Sequence, residues 1–347
     1  MSIQKFTISR DDTIYEAWPD VVLTECGKLI CVFSECTHHS DRSYTRIVLK
    51  ESTDRGRTWG NKIPLTEGTN GVPYWNCARI SKLQDNRLVI VCDKIFGKGE
   101  SGGKNYLWFG DSEGDSWTGP IETPITGIVP DKLCELSSGR WLLSAHDKSP
   151  IHGHLEQRLW YSDDKGQSWI GPIMIASQDG LNLCEVSILP LPDNILVAFM
   201  RENSGKGWDC YKSISTDNGD SWEGPYQVPL PGCHRPVAGM LQSGKILITY
   251  RFMQGGKGWV GTWTQNFFAA LTDIASAKAR QRQQQWTRIM PIDFDRSPVS
   301  DLGYSGWVQF ENGEIYIVNY IVDDAPNGQI RGYSLYESDF ILEKGRD

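Results

Sequence analysis

Short apolar runs recur along the chain, and each is entered through a tight polar turn. The turns are Glu25-Cys26-Gly27-Lys28, Gln84-Asp85-Asn86-Arg87, Ser137-Ser138-Gly139-Arg140, Pro192-Asp193-Asn194, Gln242-Ser243-Gly244-Lys245 and Glu311-Asn312-Gly313-Glu314. Asn, Asp and Gly tolerate the positive φ that a two-residue hairpin demands. The runs that follow, such as residues 29–33, 88–92 and 246–250, have the length of strands rather than helices. Six such hairpins predict six strand-rich units.

A second periodic signal runs through the same chain. The pattern S-x-D-x-G-x-[ST]-W stands at Ser52 to Trp59, Ser162 to Trp169 and Ser215 to Trp222, with a worn copy at Gly110 to Trp117. Each copy predicts a turn in which the Asp accepts bonds from its own backbone and the Trp folds back over the bend. The tryptophans at 59, 117, 169 and 222 repeat every 52 to 58 residues. A strand-rich repeat of that period predicts propeller blades rather than a helical solenoid. The fold expected is therefore all-β, a six-bladed β-propeller, with residues 1–347 forming one domain. The fifth unit lacks the clip, and Trp286 is expected to stand in for its Trp. The stretch 273–285, rich in Ala, Gln and Arg, predicts a short helical insertion in that unit's outer connection.

Composition narrows the function. The net charge is −8 with no basic stretch, which disfavours nucleic acid as a partner. No apolar run has the length of a membrane span, and the N-terminus lacks the apolar core of a signal peptide. Nine cysteines without a CxxC spacing, several of them in apolar strands (Cys31, Cys77, Cys92, Cys134, Cys184), read as buried thiols in a reducing, cytoplasmic setting. No cofactor is expected. His152-Gly153-His154-Leu155-Glu156 looks like a ligand set, but no second cluster in the sequence completes it, so no metal is assigned.

In a propeller the first residues of the innermost strands surround the central channel. Those places hold Glu16 to Asp20, Tyr74 to Arg79, Pro130 to Lys132, Asn182 to Glu185, Cys233 to Pro236 and Asp301 to Ser305. Strand ends add His38, His39, Asp41, His146, Asp147, Arg201 and Arg251. Such a number of arginines points to an anionic group held bidentately. Glycoside cleavage is the chemistry these residues can build. A carboxylate nucleophile would be repelled by a sugar with a carboxylate at its anomeric carbon, and a neutral Tyr activated by a Glu avoids that repulsion.

With these residues in view, the chain resembles the sialidase (neuraminidase) superfamily of six-bladed, Asp-box propellers, over nearly its whole length. The resemblance implies that Tyr304, in Tyr304-Ser305, is the nucleophile, that Glu185 polarises it and that Asp41 is the acid/base. It implies that Arg201 belongs to a carboxylate-binding triad. The residues themselves also allow His38 or His39 to carry the proton. The family's N-terminal arginine has no counterpart, because the aligned segment reads Glu16-Ala17-Trp18-Pro19, and the third triad arginine is not evident. Arg235, Arg79 and Arg251 are expected to supply further cations, with His39, His146 and Trp75 as substrate contacts. The loops 97–104 and 148–154 are expected to shape specificity. The expected function is an exo-type glycoside hydrolase acting on sialic acid or a related acidic sugar. Two alternatives stay open: a lyase acting on uronic-acid glycans, and a glycan-binding propeller without catalysis.

Overall fold

All six predicted hairpins form, and each is the inner half of a four-stranded antiparallel blade. The computed structural model describes residues 3–97, 102–206, 209–254 and 264–340. The inner pairs are Tyr15–Leu23 with Leu29–His38, Tyr74–Lys82 with Leu88–Ile95, and Cys134–Glu135 with Trp141–Lys148. Leu183–Leu191 with Ile195–Glu202, Cys233–Met240 with Ile246–Gln254, and Leu302–Gln309 with Ile315–Ile321 complete the set. Six four-stranded sheets result. Five are built from consecutive strands. The sixth takes its outermost strand, Gln4–Ser9, from the start of the chain, paired antiparallel with Gln329–Leu335. That pairing closes the ring and covers an edge that would otherwise be open.

The repeated clip works through its Asp. In blade one, Asp54 accepts from the N–H groups of Arg57 and Thr58 and from the Ser52 and Thr58 hydroxyls, while Trp59 Nε1 donates back to the Gly56 carbonyl. These bonds hold the Asp54 carboxyl at about 2, the Thr58 hydroxyl being the largest cause. In the worn copy Asp111, one position early, does the same with Glu113, Asp115 and Ser116. In blade five Trp286 donates instead to Oδ2 of Asp273, whose Oδ1 caps the helix Ile274–Lys278. That helix and the turn Arg282–Gln284 lie in the outer connection of the blade. At Gly56 (φ +80) a Cβ would fall inside the ring of Tyr316, whose hydroxyl donates to the Gly56 carbonyl.

Apolar faces of neighbouring blades pack on one another, with Trp108 and Trp141 fully buried between them. Cys31, Cys77, Cys92 and Cys184 belong to this interior and are buried. The inner strands are also stitched across blades by polar groups. The N–H of Ile80 donates to Asp20, that of Val129 to Asp93, that of Ile188 to Asp131 and that of Ala238 to the Ser187 hydroxyl. No described helix is long and apolar enough to cross a membrane.

Candidate active site

One irregularity, repeated from blade to blade, aims the site. The inner pairing slips by a residue between Ala17 and Asp20, Trp75 and Ala78, Cys184 and Ser187, His234 and Val237, and Leu302 and Ser305. Such bulges bend a strand and redirect side chains. The first residue of the bulge is left-handed at Trp18 (φ 54), Glu185 (φ 51), Arg235 (φ 49) and Gly303 (φ 103), and Val129 (φ 49) holds the same place in blade three. Outside glycine this conformation is unfavourable by about 1 kcal/mol per residue. Gly303 is needed twice over, for its φ and because a Cβ there would overlap Arg251. The bulges turn Glu185 and Tyr304, 119 residues apart, toward each other across the channel.

The phenol of Tyr304 donates to Glu185 Oε1, and Arg201 Nη1 donates to the same carboxylate oxygen (2.8 Å) and to the Tyr304 oxygen (3.1 Å). Burial alone would raise the Glu185 carboxyl, but the charges of Arg201 and Arg235 outweigh it and hold the group at about 2. Burial, and then the Glu185 charge, keep the Tyr304 phenol well above its ordinary value. The pair is thus a neutral phenol on a carboxylate. The guanidinium of Arg251 lies 4.8 Å from the Tyr304 ring centre and that of Arg235 lies 5.8 Å away. Both favour negative charge developing on the phenolic oxygen.

Glu185 and Tyr304 line a cavity of about 370 Å³ at the channel mouth. Its wall includes Arg42, Lys148, Arg201 and Arg251 against the acids Glu185 and Asp147, so positive side chains are in excess. Arg42 stacks over the Trp18 ring at 3.9 Å. Its Nη2 reaches Asn76 Oδ1 (3.4 Å), while its buried Nη1 has no hydrogen-bond partner among the described residues. Arg201 Nε and Glu185 Oε2 are likewise buried without partners. A guanidinium from the strand Asp41–Ser52, two strands out in the same blade, thus lies over Trp18 of the inner strand. His146 also lines the cavity and accepts from the Glu185 N–H through Nδ1 (3.4 Å).

A second polar pair stands at the rim. Asp301 Oδ2 takes His39 Nδ1 and the Tyr15 hydroxyl, and its Oδ1 takes the Tyr320 hydroxyl (2.7 Å) and Arg251 Nη2 (3.3 Å). Burial opposes ionisation of Asp301, but the His39 bond and the Arg251 charge hold it at about 2. This ion fixes His39 with Nδ1 toward Asp301 and leaves Nε2 available, the orienting arrangement of an acid/base imidazole.

The candidates fall into four groups. Tyr304, Glu185, Arg201, Arg251, His39 and His146 converge on the cavity. Arg79 and Arg235 are fully buried further down the channel, donating to the Ser305 and Pro130 carbonyls. Trp75 is buried edge-on against Tyr106 and Trp108, so it belongs to the blade interface rather than to the cavity wall. Asp41 stands exposed at the hairpin tip, where its carboxylate accepts from the Ser43 N–H, and it does not line the cavity. Of the two expected specificity loops, residues 98–101 lie outside the described residues, and Lys148 of the other lines the cavity. His152 and His154 gather with Asp179, which the sequence reading had not joined to them. However, His152 Nδ1 accepts the His154 N–H, which leaves its ring proton on Nε2, the nitrogen facing Ser177. The sequence pattern singles out neither Arg42 nor the pairing of Asp301 with His39, 262 residues away.

Residues 27–317 match the family described as BNR repeat-like domain. A comparison with curated proteins finds no significant match. Among solved structures, a protein of unknown function from Dyadobacter fermentans superposes with a TM-score of 0.79 at 18% identity, over 97% of this chain and 98% of that one. A Hadza microbial sialidase gives 0.74 at 14% identity, over 97% and 69%. An α-L-arabinofuranosidase from Fusarium graminearum gives 0.65 at 12% identity, over 98% of both. At these identities the likeness is one of fold.

Proposed function

The chain belongs to the BNR repeat-like family and carries the sialidase-superfamily propeller, and we propose that it is an exo-acting glycoside hydrolase that removes an acidic sugar. The observation that carries this reading is the bonded triad of Tyr304, Glu185 and Arg201 on the wall of a cationic cavity. The fold shared with a sialidase and an arabinofuranosidase supports glycoside chemistry in general. The excess of cations supports an acidic substrate. Arg42 Nη1 and Arg201 Nε, both without hydrogen-bond partners among the described residues, are the donors assigned to the acidic group, with Lys148 lining the same cavity.

In the first step the Tyr304 oxygen bonds to the anomeric carbon and passes its proton to Glu185. The glycosidic bond breaks as His39 Nε2 gives a proton to the leaving oxygen. In the second step water attacks the same carbon, His39 takes the water's proton, and the Tyr304 oxygen leaves and recovers its proton from Glu185. His39 is assigned the acid/base role in place of Asp41, because it lines the cavity and is oriented by Asp301. Arg251 and Arg235 stabilise the phenolic oxygen at the moment it carries charge.

The test is product analysis by mass spectrometry on sialyl and uronyl oligosaccharides, with Tyr304→Phe beside the parent protein. Release of a hydrated acidic sugar that vanishes in the variant is the expected result. A product lighter by one water would assign the same residues to a lyase. Full activity in Tyr304→Phe would end the nucleophile assignment. The contact between Glu185 and Tyr304 supports catalysis over the glycan-binding alternative, and binding without turnover on every glycan of the panel would favour that alternative instead.

A further inference from the structure

Below the cationic cavity a second space, of about 200 Å³, lies between the inner strands of blades three to six. Its residues follow those of the site along the same strands. Ser187 stands two residues beyond Glu185, Val237 two beyond Arg235 and Trp307 three beyond Tyr304, a step of about 7–10 Å at the rise of a strand. Among the described residues none lines both cavities. Arg79 and Arg235, both buried, donate to the carbonyls of Ser305 (2.9 Å) and Pro130 (3.0 Å), residues that stand in the chain between the two linings. The lower cavity is walled by the indole of Trp307 and the apolar side chains of Ile188 and Val237, with Ser187, Asp131 and Lys132 as its polar groups. The indole is fixed, because its Nε1 donates to the Val237 carbonyl (3.2 Å) and its ring rests where a Cβ on Gly239 would stand. Ser187 Oγ accepts the Ala238 N–H (3.0 Å) and keeps its own proton to donate. Lys132 Nζ bonds Asp20 Oδ1 (2.9 Å) while its side chain is 27% exposed, so the cavity reaches solvent there.

Charge and size restrict what this cavity takes. Asp131 and Lys132 are the only charged residues in its described lining, which is therefore neutral overall. Its volume lies below the roughly 300–1,000 Å³ of pockets for drug-sized ligands, which limits the occupant to a single small ring. An indole with aliphatic neighbours receives an apolar face, while a hydroxyl, an ammonium and a carboxylate around it receive donors and acceptors. A pyranose carries both surfaces, a C–H face and a rim of hydroxyls. A small zwitterion would need two unengaged charges, whereas Asp131 already accepts the Ile188 N–H (2.7 Å) and Lys132 already pairs with Asp20. We propose that the lower cavity is a second ligand site, separate from the cationic one, and that it binds one neutral monosaccharide residue against Trp307. The proposal does not depend on the hydrolase reading, because binding there involves none of the residues assigned to turnover.

The experiment is saturation-transfer NMR on the full chain with glucose, galactose, mannose and N-acetylglucosamine, and with glycine and alanine as zwitterions. Ala238→Phe fills the lower cavity and keeps the backbone N–H that Ser187 accepts. Trp307→Leu removes the indole, and Lys148→Trp alters the cationic cavity alone. At least one monosaccharide is expected to bind the parent protein. Its signal is expected to fall by about fivefold or more in Ala238→Phe and Trp307→Leu and to change by less than about twofold in Lys148→Trp. If no monosaccharide binds, or if binding survives in Ala238→Phe or is lost only in Lys148→Trp, the inference is overturned. Binding of glycine or alanine without any monosaccharide would overturn the ligand class. A crystal structure of the parent protein soaked with the sugar that binds needs no variant to fold. It is expected to show the ring against Trp307, and a sugar held only elsewhere would overturn the site.

Discussion

His146 ties the chemistry of the cavity to the stability of the fold through pH. The ring is only 4% exposed. Burial is the largest influence and pushes its pKa down from 6.5 to about 4; Arg235 and Arg201 push the same way, against the Glu185 charge. The folded value lies below the unfolded one. Between the two the unfolded chain binds more protons, so stability must fall as pH falls through this window. With 6.5 unfolded and about 4 folded, the His146 contribution lost on going from pH 7 is about 2 kcal/mol at pH 5 and about 3 kcal/mol at pH 4. The measurement is urea unfolding at pH 7, 6, 5 and 4 for the parent protein and for His146→Gln, whose amide oxygen can still accept the Glu185 N–H. The variant is expected to lose less stability than the parent by about 2 kcal/mol between pH 7 and pH 5. Carboxylates common to both proteins contribute alike to the two profiles, so the difference between the profiles isolates His146. Asp301, held at about 2, contributes stability that is present above its ordinary 3.8 and is lost only below it. Parallel stability profiles for the two proteins would refute the argument and place a charged imidazole in the cavity. A neutral His146 matters to function because a third positive charge beside Glu185 would further favour its ionised form and weaken it as the base for Tyr304.

Four further outcomes are expected. A slow fluorinated analogue of the correct acidic sugar should leave its mass on the peptide containing Tyr304, and a label on any other residue would count against Tyr304 as nucleophile. Asp301→Asn and His39→Asn should each lower kcat/KM by about 10²–10⁴-fold on glycosides with poor leaving groups and much less on the glycosyl fluoride of the same acidic sugar, whose leaving group needs no proton; equal losses on both would argue for a purely structural pair. Arg42→Ala should raise KM for acidic substrates by about 10- to 100-fold, the equivalent of one charge-assisted bond, with a smaller change in kcat; an unchanged KM would remove Arg42 from the binding role. Gly56→Ala should destabilise the protein by about 2–4 kcal/mol in chemical denaturation, since a methyl group meets the Tyr316 ring and φ is +80, and a loss below 1 kcal/mol would mean that the clip yields readily.

The architecture was legible because it is local. Turn chemistry, five-residue apolar runs and the Ser-x-Asp-x-Gly clip each act within about ten residues of chain, so a period of 52 to 58 residues could be read as blades from sequence alone. The worn second clip and the helical insertion were legible for the same reason. Tyr304, Glu185 and Arg201 could be nominated because each sits at the start or end of an inner hairpin, where the channel must be. The remainder depended on how the ring closes. Which residue of each bulge turns inward is set by a left-handed φ that composition does not announce in Trp18, Glu185 or Arg235. Arg79, Arg235 and Trp75 have the right residue types in the right segments, yet depth along the channel and packing between blades withdraw them from the cavity. Asp41 and His39 lie two residues apart in sequence. Only the arrival of Asp301 from the last blade, beside Tyr15 from the first, orients one of them over the cavity while the other stays in solvent at the hairpin tip. Strand and turn were decided by neighbours in the chain. The site was decided by contacts between blades more than a hundred residues apart, which become neighbours only when the ring is closed.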